Sequence, residues 1–214
     1  MKKAFIATLL VLASLSSAAA SLEGTIRAIN DQSGTRIGST VDHWKFTARS
    51  TGLVAIDVLS WEAPSGIATD LNGDGEIAFF DSAIYLFRDD GALDASDMVA
   101  ANNDSSATFD DGSQSELDSS LSLKLTAGNY LLAIGAYLLN ELDAISGINH
   151  DTYYPVSCAT PTGSCTRVQN DHGDYRITIT GDVTAPTSGL PEPAAIGLIG
   201  LGLAGLGILN RRRR

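Results

Sequence analysis

Asp174-Tyr175-Arg176-Ile177-Thr178-Ile179-Thr180 alternates apolar and polar side chains one for one. Successive side chains leave a strand on opposite faces, so this spacing predicts a half-buried strand with Tyr175, Ile177 and Ile179 inward. The same period recurs along the chain. Trp44, Phe46 and Ala48 alternate with His43, Lys45 and Thr47; Val54, Ile56 and Val58 with Ala55 and Asp57; Leu121, Leu123 and Leu125 with Ser122, Lys124 and Thr126. Phe79 to Phe87 and Tyr130 to Tyr137 are more continuously apolar and read as central strands.

About eight strands separated by Gly/Asp/Asn/Ser turns predict an all-β fold, an antiparallel β-sandwich or jelly roll. A helix is expected over Leu138–Ile145 and a short turn around Ala95–Ala100. The domain is read over 21–181, followed by a Pro/Thr/Ser/Gly-rich linker at 182–189.

Both termini read as addresses. Lys2 and Lys3 precede an apolar stretch, Ala4 to Leu15, and Ala18-Ala19-Ala20 offers a small-residue cleavage site, so 1–20 is expected to be a secretory signal peptide. At the other end Leu190-Pro191-Glu192-Pro193 leads into an apolar run from Ala194 to Leu209, then Arg211, Arg212, Arg213 and Arg214. The transmembrane helix is placed at 194–210; its apolar run, Ala194 to Leu209, rises about 1.5 Å per residue and reaches roughly 24 Å of a hydrocarbon core near 30 Å. This is a short transmembrane helix, helped by snorkelling arginines and local thinning. The arginine cluster should stay cytoplasmic.

Outside these addresses the chain keeps 8 basic and 24 acidic residues, a net charge of −16 rather than the −11 of the whole sequence. Such a surface disfavours nucleic acid and suits hard divalent cations. About 165 residues make one domain with a core of its own. Cys158 and Cys165 enclose six residues, and export favours a disulfide between them. That short loop is worth roughly 2–3 kcal/mol in the chain-entropy account. Neither cysteine has a partner at zinc spacing.

Asp70-Leu71-Asn72-Gly73-Asp74-Gly75-Glu76 carries oxygen ligands at positions 1, 3 and 5, Gly at 6, and Asp81 at position 12. Alternate oxygens must converge on one hard cation, so the spacing predicts a Ca2+ site of Asp70, Asn72, Asp74, Glu76 and Asp81. Phe79–Phe87 reads as strand rather than exiting helix, which sets the loop in a sandwich and not an EF-hand. Extracellular modules of this kind bind at roughly 10⁻⁴–10⁻³ M, making the ion structural. The alternative is an Asp/Asn/Gly turn closed by its own hydrogen bonds. A second acidic stretch, with Asn103, Asp104, Asp110, Asp111, Glu116 and Asp118, offers Asn103, Asp104 and Asp118 as a second metal loop, or is a solvated loop. Asp81-Ser82-Ala83-Ile84-Tyr85-Leu86 and Asp118-Ser119-Ser120-Leu121-Ser122-Leu123 echo one another. In each an Asp stands where a loop enters a strand, a position where Asp and Ser also cap turns.

Two resemblances follow. The Pro-Glu-Pro, apolar run and arginine stop resemble the PEP-CTERM sorting signal of Gram-negative bacteria, with Leu190 where that signal most often has Val. The resemblance implies transient inner-membrane insertion, recognition of Pro191-Glu192-Pro193 by an exosortase after signal peptidase has acted, and removal of the tail. Asp42 to Asp182 resembles the pre-peptidase C-terminal-like β-sandwich proteins through Asp42-His43-Trp44-Lys45-Phe46, Asp81-Ser82-Ala83-Ile84-Tyr85-Leu86-Phe87, Asn103-Asp104, Leu117-Asp118-Ser119-Ser120-Leu121, Thr126-Ala127-Gly128-Asn129-Tyr130 and Gly173-Asp174-Tyr175. It implies an accessory module of secreted proteins, often calcium-bound and without a common activity.

Catalysis is not expected. The three histidines, His43, His150 and His172, are scattered and read as surface or turn residues, and no G-x-S-x-G or H-E-x-x-H occurs. Trp61 and Tyr137, Tyr153 and Tyr154 read as core edge and ordinary surface, though they are also suited to stacking on sugar rings. The expectation is therefore a non-catalytic exported protein. Its calcium-stabilised sandwich would serve a structural or adhesive role at the cell surface or in an exopolysaccharide (biofilm) matrix. A calcium-dependent carbohydrate-binding module is the alternative, and a secreted hydrolase the outsider.

Overall fold

A computed structural model describes residues 19–61, 69–104, 115–158 and 166–188. The expected signal peptide up to residue 18, Asp110, Asp111, Cys165 and the whole 190–214 tail lie outside the described residues. In chain order the strands are β1 (Ala20–Asn30), β2 (Arg36–Thr40), β3 (Asp42–Ala48), β4 (Gly52–Leu59), β5 (Ala78–Phe79), β6 (Ser82–Arg88), β7 (Met98–Asn102), β8 (Ser120–Leu125), β9 (Gly128–Ala136), β10 (Ile148–Asn149), β11 (Val156–Cys158), β12 (Arg167–Gln169), β13 (His172–Thr180) and β14 (Thr187–Ser188). Among the described residues one α-helix, α1 (Glu141–Ser146), lies between β9 and β10. Among the described residues no helix is long and apolar enough to cross a membrane.

All pairings are antiparallel. One sheet runs β10-β2-β1-β13-β4-β8, the other β14-β3-β9-β6-β7, and β12-β11-β5 forms a small third sheet. The period-two side chains meet between the two large sheets. Val54, Ile56, Val58, Tyr175, Ile177 and Ile179 of one face Phe46, Ala48, Ile84, Leu86, Leu132 and Ile134 of the other in a single buried cluster. Full burial of a Leu, Ile or Phe side chain contributes about 1.5–3 kcal/mol, so this layer is the main source of stability.

Strands β6 and β9 are apolar on both faces because a second cluster covers their outer side. Val41, Ala83, Phe87, Leu131, Ala133 and Leu139 pack there against Ala144 of α1. Helix α1 begins at Asn140, whose side-chain oxygen accepts the Asp143 amide at 3.0 Å. It ends at Gly147 in the left-handed region, φ 80°. Six residues hold no helix alone; His43 Nε2, 2.7 Å from the Ala144 carbonyl, ties it to β3.

The structure redraws four sequence boundaries. The apolar run Phe79–Phe87 divides at Phe80-Asp81, because Phe79 pairs with Val156 in the small sheet while Ser82 pairs with Ala136. The turn at Ala95–Ala100 is a single 3-10 turn, Ala95–Asp97, capped by Asp94, and Met98 onward is edge strand β7. The helix starts three residues later than Leu138, at Glu141, since Leu138 sits at φ 65° and Asn140 caps. Residues 182–188, expected as linker, lie along β3: Val183 is buried and bridges Ala48, and Thr187 and Ser188 pair with Lys45 and Trp44.

Close backbone approaches fix the site side of the fold. A Cβ on Gly24 would lie 2.3 Å from the Tyr175 hydroxyl, and one on Gly173 would lie 2.6 Å from the Phe80 ring. Both glycines let β1 and β13 pass under buried rings. Tyr175 in turn accepts from Trp44 Nε1 at 2.8 Å and donates to Asp42 Oδ2 at 2.6 Å. Burial raises the pKa of both groups; the bond to Tyr175 partly offsets it for Asp42, while the Asp42 charge raises Tyr175 further.

Candidate metal sites

The segment 70–76 folds on its own carboxylates. Asp70 accepts the Gly73 amide at 2.6 Å on one oxygen and the Gly75 amide at 2.8 Å on the other. Asn72 Oδ1 accepts the Asp74 amide at 3.0 Å, and Asp74 Oδ1 the Glu76 amide at 2.9 Å. Gly73 and Gly75 take φ of 78° and 91°, the left-handed turns that this winding needs. The bond from the Glu76 amide, first among its causes, holds the exposed Asp74 carboxyl below its usual range.

This loop docks on the outer face of the six-stranded sheet, at β1 and β13. Register pairs Thr25 with Asp174. Asn72 Nδ2 donates to Thr25 Oγ1 (2.9 Å), Asp74 Oδ2 (3.0 Å) and Asp174 Oδ1 (2.8 Å), and Thr25 Oγ1 donates to Asp174 Oδ1 (2.9 Å). Asp174 is 1% exposed, and its Oδ2 has no hydrogen-bond partner. Burial, reinforced by the charges of Asp74 and Asp70, lifts its pKa to about 6 against the pull of the Thr25 bond. Two residues back along β13, on the same face, His172 is also buried. Its Nδ1 meets Asp171 Oδ1 at 2.8 Å; its Nε2 lies 3.1 Å from Glu76 Oε2 in a geometry short of a hydrogen bond. Ligand atoms of Asp74, His172 and Asp174 all fall within 4.8 Å of one another.

Asp81 does not join this set. Its electrostatic neighbours are instead Asp104 and Asp118. Here the two echoing Asp-Ser pairs come together across the sandwich. Ser82 Oγ and Ser119 Oγ are 3.0 Å apart, the Ser119 amide donates to Ser82 Oγ at 3.0 Å, and Ser119 Oγ donates to the Ser82 carbonyl at 2.6 Å. Asp118, fully buried, accepts the Ser60 amide (2.7 Å), Ser60 Oγ (2.9 Å) and the Trp61 amide (2.7 Å) on Oδ1, capping the end of β4. Asp81 is 7% exposed and its Oδ1 has no partner. Burial first, then the charges of Asp104 and Asp118, push its carboxyl up to about 7.

The remaining predicted ligands separate. Glu76 is exposed at the mouth of the His172 cluster, and Asn103 and Asp104 are exposed beside the Asp81 junction. Cys158 closes β11 and is disulfide-bonded. Of the other histidines, His43 bonds α1 as above and His150 Nδ1 lies 2.7 Å from Asp143. Trp61 is buried edge-on against Phe79 beneath Arg167, whereas Tyr137 and Tyr153 pack on each other. Sequence reading missed His172 and Asp174 as partners of the Asp70 loop. The signal was the His-Gly-Asp spacing, which sets two donors on one face of a strand.

Residues 190–214 match the PEP-CTERM protein-sorting motif. No curated protein matches the chain. The motif marks a protein exported across the membrane and processed by an exosortase, so the chain is an exosortase-sorted export substrate whose described cargo is antiparallel β-structure with one short helix.

Proposed function

We propose that the mature protein is a non-catalytic, calcium-braced β-sandwich with a structural or adhesive role at the cell surface or in an exopolysaccharide matrix. The observation that carries this reading is the buried, partnerless oxygen of Asp81, whose carboxyl also feels the charges of Asp104 and Asp118. A buried carboxylate is costly unless a cation or donor meets it. Calcium takes carboxylate oxygens in flexible geometry, and the Asp81 junction lies where β6 of one sheet is bonded to the start of β8 of the other. An ion shared by Asp81, Asp104 and Asp118 would clamp the two sheets together, the resemblance to pre-peptidase C-terminal-like modules being in keeping with it.

The test is thermal melting of the mature protein, recovered after export of the full chain, in EDTA and in calcium. At about 10 to 100 times a Kd of 10⁻⁴–10⁻³ M, binding to the native state alone adds about 1.4–2.7 kcal/mol. A melting temperature unchanged by calcium sinks the reading. A second reading, calcium-dependent carbohydrate binding, is favoured by a depression lined by Tyr85, Asn102, Asn103, Tyr137 and Leu138 beside Asp104. Calcium-dependent retention on a glycan array would select it.

A further inference from the structure

We propose that Asp74, His172 and Asp174 form a second metal site, distinct from the calcium junction, that takes a divalent transition ion of the zinc class and latches the Asp70 loop onto strands β1 and β13. The three donors converge within 4.8 Å. Two of them are buried and reach the site with unsatisfied atoms, Asp174 Oδ2 and His172 Nε2. Unsatisfied buried polar atoms are rare in folded proteins and ask for a ligand.

The donor set decides the class of ion. Calcium and magnesium prefer all-oxygen shells, whereas imidazole nitrogen suits zinc, copper, nickel and iron. One histidine and two carboxylates supply three ligands of a tetrahedral site, and exposed Glu76, whose Oε2 is 3.1 Å from His172 Nε2, or a water completes the fourth. The second nitrogen of His172 is already held by Asp171 at 2.8 Å. A carboxylate on the far side of a ligating histidine fixes the tautomer and aims the free nitrogen at the metal. The hydrogen bonds from Thr25 and Asn72 to Asp174 Oδ1 orient that carboxylate and leave Oδ2 for the ion.

The loop spacing that suits calcium is thereby shared between two chemistries. Asp70 closes the turn, and Asp74 carries the turn's charge to a strand face that supplies nitrogen. An ion here would pin the loop to a sheet that it otherwise meets through Asn72, the Glu76–His172 approach and a long contact from Arg176 to the Leu71 carbonyl (3.4 Å).

The mature, exported protein, stripped with a chelator, is titrated with Zn2+ and with Co2+ in about 10 mM calcium, above the range extracellular calcium loops need. One equivalent should bind, Co2+ should show the visible absorption of a low-coordinate nitrogen–oxygen site, and the His172 ring resonances should shift. His172→Gln should weaken binding at least 100-fold, and Asp171→Asn by about 10–100-fold, the usual effect of removing such a supporting carboxylate. Asp81→Asn should leave it unchanged. Absence of binding in calcium, or binding that survives His172→Gln undiminished in a folded variant, overturns the proposal. Because His172→Gln leaves the calcium junction intact, its calcium-dependent melting reports folding independently.

Discussion

Replacing Asp81 with Asn gives the calcium reading a sharp and unusual signature, since the variant should be more stable than the wild type when metal is removed. Asp81 carries a carboxyl raised from 3.8 to about 7, chiefly by burial, with Asp104 and Asp118 adding to it. A shift of that size corresponds to roughly 4 kcal/mol as a ceiling, at 1.36 kcal/mol per tenfold. Water on the exposed Asp104 side screens it to about 2 kcal/mol. An asparagine amide left partly unpaired costs about 1 kcal/mol of that back, so the net gain at pH 7.5 in EDTA is about 1 kcal/mol. For a domain of this size that is about 2–4 °C in melting temperature. The sign with pH follows from the raised value. The protonated acid favours the folded state fully below pH 3.8, and this contribution is lost as pH rises through about 7. Metal-free wild type should therefore lose stability between pH 4 and 7. The Asn variant should be flatter there, with the residual slope set by Asp174, whose pKa is raised to about 6, and by Asp42, which burial also raises. In calcium the order reverses, because only the wild type gains. Differential scanning calorimetry across pH, with and without calcium, reads all of this. A variant that is less stable in EDTA at pH 7.5 and still gains the full calcium increment would refute the reasoning.

Other outcomes follow from the same geometry. Gly24→Ala places a methyl against the hydroxyl of Tyr175, a fully buried ring tied to Trp44 and Asp42; over-packing of this kind costs about 1–3 kcal/mol, measurable as a lower denaturant midpoint. Asn140→Ala removes the cap of a six-residue helix and should cost about 1 kcal/mol, with hydrogen exchange rising in 141–146 before the rest of the domain opens. Replacing Pro191-Glu192-Pro193 within the matched motif by three alanines should leave an uncleaved, membrane-retained precursor on fractionation; normal release would refute the role of that tripeptide.

The inward faces of β3, β4, β8 and the 176–180 half of β13 were legible because their outer sides stay polar and at least partly exposed, so polarity alternates with the pleat. Strand β1 was not, since Ser21, Glu23, Gly24 and Thr25 reflect a strand that passes under the Tyr175 ring and beneath the Asp70 loop rather than a simple two-faced ribbon. Residues 182–188 look like a linker because Pro, Thr and Ser dominate them, yet Val183 and two backbone pairs hold them to β3. At the sites, the Asp70 spacing was visible and its partner was not. Asp174 reaches it only through the register of β1 with β13, a contact between residues 149 apart in sequence. The repeated Asp-Ser text was equally visible, but its meaning, a pair of hydroxyls joined across the sandwich beside a buried acid, exists only in the folded chain.

The central claim is most directly tested by following backbone amide resonances of the mature protein during a calcium titration. Saturable shifts centred on Asp81, Ser82, Asp104, Asp118 and Ser119 are expected, with an affinity near 10⁻⁴–10⁻³ M. If those amides stay still up to about 10 mM calcium, well beyond that range, the junction does not hold the ion and the calcium-braced account is wrong.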